Sequence, residues 1–194
     1  MSYVIPIDSL SLASQERLRF GAEIQVKKRL ARKLAIPEAQ ALDLENPAVI
    51  VRDADYVTDF VPVATQAGLA GWLTMPLAAA ATFYAVFANN VPAALTPTVL
   101  NNQAVIFYGV DLLFNTDELT QLIFGVGQAN NRRAQFDLEG LYSRMASSGF
   151  FSQPVAYDPQ EIVNVQVRSR ILTGAGARIR LATLIAEPTQ QTVI

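Results

Sequence analysis

The sequence has no cysteine and no histidine, and it carries no Asp, Glu, Lys or Arg anywhere from Phe60 to Val110. Without cysteine there are no disulfides, no thiolate nucleophile and no thiolate metal site. Without histidine the commonest general base, proton shuttle and metal ligand is missing. Any chemistry would fall to carboxylates or to the lysines, Lys27, Lys28 and Lys33. The uncharged run is 51 residues long in a chain of 194, more than one domain hides in its own core. Part of it is therefore expected to meet other copies or another protein. These absences favour an assembly component over an enzyme, with no cofactor, metal or small-molecule substrate expected.

What is present describes a folded chain: 51% apolar residues, 16% charged and a net charge of −2 lie far from the profile of disorder. The opening MSYVIPIDSLSL lacks the basic n-region and apolar run of a secretory signal, so synthesis in the cytoplasm without export is expected. Trp72 to Phe87 is the one membrane candidate. It is short, contains Pro76 and lacks flanking Lys or Arg, so no membrane partner is expected.

Charge is uneven. Glu16 to Lys33 holds seven of the fifteen basic residues and two acids, a local +5 against −7 for the rest. Arg17, Arg19, Lys27, Lys28, Arg29, Arg32 and Lys33, with the single tryptophan Trp72, are the candidate interaction residues. Clustered cations suit an acidic neighbour, and the plainer reading is a solvated face. Nucleic acid is not expected, because Phe20 is the only aromatic residue interleaved with these cations. Leu18, Phe20, Ala22, Ile24 and Val26 alternate with polar residues or glycine, which predicts a strand over 17–27, followed by a short helix through Leu34 before Pro37.

Further along, Asn46 and Pro47 form a turn before a strand starting at Val49. Asp53, Asp55 and Asp59 are closely spaced, but the glycine and distal Glu of a calcium loop are missing. Breakers at Pro62, Gly68, Gly71, Pro76, Pro92 and Pro97 divide the uncharged run into short pieces, with a helical turn at 77–81 and a buried strand at 82–87. Ala104 to Phe114, Leu119 to Val126 and Ile162 to Arg170 read as strands. Val163, Val165 and Val167 alternate with polar residues, and the turn at 173–177 predicts a hairpin with RIRLATLIAEP. Arg132 to Met145 has helical spacing and predicts one short helix over a sheet. The glycine pairs 125/127 and 174/176 lack the full pattern of a phosphate loop. The only enzyme chemistry these residues suggest is a glycosidase-type carboxylate pair drawn from Asp53, Asp55, Asp111, Asp117 or Asp158, and scattered solvent-facing acids are the plainer reading.

About eight short strands, one short helix and no βαβ alternation predict an all-β, jelly-roll-like β-sandwich with an extended N-terminal arm. The division expected is an arm with the basic segment at 1–45 and the sandwich at 46–194. A cupin-like variant would ordinarily need metal-binding histidines.

Three segments between Val105 and Pro188, VIFYGVDLLF, GFFSQPVAYDPQEIVNVQV and RIRLATLIAEP, resemble phage virion structural proteins of the jelly-roll cement or minor capsid type. The likeness lies in an aromatic-rich strand, a Gly-Phe-Phe loop entering a turn bounded by Pro154 and Pro159, and a last hairpin ending in Glu187 and Pro188. The resemblance implies a sandwich on or within an icosahedral shell, a homotrimer, neighbouring capsid proteins as partners and location in the virion. Its alternatives are a small shell-forming capsid subunit or a carbohydrate- or receptor-binding module of a tail, with Trp72, Tyr84 or Tyr142 as stacking platforms.

Overall fold

The computed structural model describes residues 2–54, 73–74, 83–85, 98–113, 119–127, 131–169 and 178–189. Ten strands run through them: β1 (Ser2–Pro6), β2 (Val49–Asp53), β3 (Leu73–Thr74), β4 (Phe83–Ala85), β5 (Ala104–Leu113), β6 (Leu119–Val126), β7 (Asn131–Asp137), β8 (Ser148–Tyr157), β9 (Val163–Ser169) and β10 (Arg178–Pro188). They are joined by one long helix, α1 (Leu12–Lys33), and two single-turn helices, α2 (Glu38–Ala41) and α3 (Glu139–Tyr142). Strands dominate, as an all-β class requires.

The strand order is β2-β10-β5-β8-β1-β7-β6-β9-β4, with β3 beside β10. Two antiparallel rows of four, β2-β10-β5-β8 and β7-β6-β9-β4, flank β1. This short strand changes partner along its length: Val4, Ile5 and Pro6 run antiparallel to β8, whereas Ser2 and Tyr3 run parallel to β7. The sheet curls, so inward side chains of both rows form one apolar cluster. Its centre is a set of rings, Phe107, Phe124, Phe136, Phe151 and Tyr157, whose neighbouring centroids lie 4.2 to 5.8 Å apart. A second cluster covers the outside of the first row, where Ala22, Val26 and Leu30 of α1 pack on Ala104, Ile106, Leu184 and Ala186.

Several expectations are corrected. Residues 17–27 are not a strand but the middle of α1. The alternation at 18, 20, 22, 24 and 26 contains a spacing of four, and Ala22, Val26 and Leu30 are the helical stripe that is buried, while Phe20 is exposed. The N-terminal segment is not an extended arm: β1 is paired on both sides and α1 lies on the sheet. β9 and β10 do not form a hairpin, since β9 pairs with β6 and β4 whereas β10 pairs with β5, β2 and β3. Residues 131–137 are strand β7, and the helix after it is the single turn α3, ended by Met145 at φ 54°. The Gly-Phe-Phe segment is not a loop but part of β8, which runs through Pro154. That proline falls in a register irregularity, between Phe150 opposite Gly109 and Val155 opposite Phe107, where no ladder N–H is needed. Trp72, the helical turn expected at 77–81 and the turn at 173–177 lie outside the described residues.

Candidate interaction surface

Helix α1 begins at Ser11, whose Oγ accepts a hydrogen bond from the Ser14 N–H at 3.3 Å, and carries Arg32 and Lys33 in its last turn. All seven candidate cations sit on it. Five of them are held by carboxylates of the same chain. Arg19 reaches Asp53 on β2 with both oxygens within 3.2 Å, Lys27 binds Glu23 one turn earlier at 3.1 Å, and Lys28 binds Glu38 of α2 at 2.6 Å. Arg29 and Lys33 share Asp158, at 3.0 and 3.7 Å. Arg17 and Arg32 make no ion pair among the described residues. The basic stretch is thus largely paired within the chain, and Asp53 at the end of β2, Glu38 on α2 and Asp158 after β8 offset much of its charge.

Asp158 belongs to a wider clasp where α1, β7 and the turn after β8 meet. Arg133 on β7 makes two bonds to Glu161, at 2.8 and 2.9 Å, lies 4.9 Å over the Tyr157 ring and donates to the Ala156 carbonyl, to which Arg29 also donates. The Asp158 N–H donates to Glu161 at 2.7 Å. Burial pushes the Glu161 carboxyl upward, but the Arg133 and Asp158 hydrogen bonds and the charges of Arg133 and Arg29 outweigh it and hold its pKa below the ordinary value. Burial raises the Tyr157 phenol strongly, and its hydroxyl donates to the Gly125 carbonyl at 2.9 Å. Sequence reasoning missed this clasp. Its only local signal is the Asp158 and Glu161 pair, three residues apart around Gln160 at φ 65°.

A cleft of about 390 Å³ lies beside α1 on the outer face of the first row. Tyr108 and Phe150, stacked with centroids 6.0 Å apart, wall one part of it, and Gly109 and Ala182 leave it open. The ion pairs Arg19–Asp53 and Arg180–Asp111, the latter at 2.7 Å, stand at its rim. Burial raises the Tyr108 pKa.

No protein-family model matches the chain, and no curated protein matches it. Function is therefore read from these surfaces. Of the acids considered for a hydrolytic pair, Asp53, Asp111 and Asp158 each face an arginine, and Asp55 and Asp117 lie outside the described residues. Among the described residues no group of three or more Asp and Glu is placed to hold a metal ion. Of the expected stacking platforms, Tyr142 is half-buried and donates its hydroxyl to the Leu119 carbonyl.

Proposed function

We propose that this chain is a virion structural protein with a jelly-roll fold, and specifically a capsid cement or decoration protein that reinforces an icosahedral phage shell. The strand order carries the reading. β2, β5, β8 and β10 belong to one row and β4, β6, β7 and β9 to the other, and only β6 and β7 follow one another within a row. This order is the one expected of the nested Greek keys of a jelly roll and supports that reading; jelly rolls serve in capsid, lectin and cupin domains.

Architecture alone does not fix a use, so the choice among these rests on the residues. A chain without histidine does not supply the usual cupin metal site. The 51-residue uncharged run favours burial against neighbours, as a homotrimer and on capsid proteins. Internal pairing of five of the seven α1 cations leaves little excess positive charge there to face a genome, which favours cement over a shell-forming subunit.

The test compares shells assembled with and without this chain. A cement protein leaves assembly intact, lowers the temperature of shell rupture when omitted and restores it when added back. Shells that never form without it would identify a shell subunit instead. Glycan binding with no affinity for shells would identify a tail-type recognition module.

A further inference from the structure

We propose that the cleft on the outer face of the first row is a binding site for one ring of an uncharged sugar, held by the Tyr108 hydroxyl and the Asp111 carboxylate. The inference goes beyond the virion reading and does not rest on it. Strand register builds the cleft. On β10, Thr183 stands opposite Phe107 and Ala182 opposite Gly109; on β8, Val155 stands opposite Phe107 and Phe150 opposite Gly109. Tyr108 is thus an extra residue against both neighbouring strands, and a bulge of this kind re-aims a side chain. It turns to the outer face, stacked on the half-buried Phe150. Further along the same two strands Arg180 faces Asp111, and Gly109 and Ala182 put no bulk between this pair and the rings.

Two polar groups of the cleft are unused. Tyr108 is 9% exposed, yet its hydroxyl makes no hydrogen bond among the described residues, although the charges of Arg19, Asp53, Asp111 and Arg180 all act on it. Buried hydroxyls are nearly always bonded, and one left unpaired is costly. Burial keeps this phenol protonated at neutral pH, so it is an O–H donor. Arg180 places both Nε and Nη2 on one oxygen of Asp111, Oδ2, each at 2.7 Å, and Oδ1 accepts no hydrogen bond among the described residues. A donor and an acceptor in one cleft match two adjacent hydroxyls of a sugar, one accepting from Tyr108 and the other donating to Asp111. The rim favours no ion, because Arg19 with Asp53 and Arg180 with Asp111 cancel. The Tyr108 and Phe150 wall suits the apolar C–H face of the ring, and about 390 Å³ lies at the small end of ligand sites.

The test titrates the full chain with glucose, galactose, mannose and N-acetylglucosamine, read by saturation-transfer NMR, beside an array of glycans ending in the same rings. At least one free sugar is expected to bind, with a Kd on the order of 1 mM. Tyr108→Phe keeps the ring and removes the hydroxyl. It should weaken binding at least about tenfold without lowering the thermal midpoint, because no bond within the protein is lost. Ala182→Leu, which fills the floor, should abolish binding with an unchanged far-UV spectrum. A ring bound both free and on the array marks a glycan as the source, and a ring bound only when free marks a soluble sugar; both support the site. A wild type that binds none of these sugars overturns the proposal. So does binding that survives Tyr108→Phe, a midpoint that falls in Tyr108→Phe and so assigns the hydroxyl to the fold, or a tetralysine peptide that binds where the sugars do not.

Discussion

Gly149 has less room than Gly21, Gly109, Gly127 or Gly140. A Cβ there would stand 2.5 Å from Val4 Cγ1, 2.8 Å from the Ile5 carbonyl oxygen and 3.0 Å from Leu141 Cδ2. The oxygen belongs to the β1 backbone and cannot swing aside, so Gly149→Ala must push β1 away from β8. The expected cost is about 2 kcal/mol, read as a lower urea midpoint. Gly140→Ala, where nothing lies within 4 Å of the new carbon, should change stability by less than about 0.5 kcal/mol. Equal effects at the two sites would refute the account of β1 packing. Glu161 makes a pH prediction. Its pKa is depressed in the folded protein, so its contribution is fully present above the ordinary glutamate value of 4.5 and is lost as pH falls through the lower folded value. The difference in urea midpoint between wild type and Glu161→Gln should therefore be constant near neutrality and vanish in acid below that value. A difference that persists unchanged in acid would mean the clasp does not depend on the carboxylate charge.

At the scale of elements, α1 shows how a true pattern predicts the wrong structure. Positions 18, 22 and 26 satisfy both alternation and a helical spacing of four, so period two alone did not exclude a helix. The extension to Leu30 decides it: Ala22, Val26 and Leu30 are all buried, and the even position Phe20 is not. Leu30 has no exposed surface and lies under the helix against the sheet. Leu30→Ala should cost about 3 kcal/mol by leaving a cavity. It should also loosen α1 before the sheet, with amide exchange speeding first in α1. Uniform loss of protection in α1 and in β6, which lies in the other row, would show instead that the helix and the curled sheet unfold as one unit. β2, β5, β6, β9 and β10 were legible because each has an apolar face and turn residues at its ends. β7 was not, because its charged first half, with Asn131, Arg132 and Arg133 all exposed, masks a strand that buries only Phe136.

For the whole molecule, local pattern located strands but not their partners. Adjacent segments with a turn between them suggested that β9 and β10 pair, yet they stand in opposite rows, because sequence neighbours cross the core repeatedly in this strand order. Nothing local marks Ser2–Pro6 as the strand that joins the rows: it is five residues long, and its pairing depends on partners some 130 to 150 positions away. Its place gives it influence beyond its size. Among the described residues β1 is the only strand bonded to both rows, and Val4, 7% exposed, fills the space over Gly149. Removing residues 1–5 should uncover the facing edges of β7 and β8 and the core beneath Val4. The expected loss is roughly 3 kcal/mol or more, together with concentration-dependent association through the bared strand edges. Denaturation and light scattering on the shortened chain read the two effects separately. An unchanged midpoint with no new association would mean that packing of the ring cluster holds the rows together and β1 is an ornament on their edge.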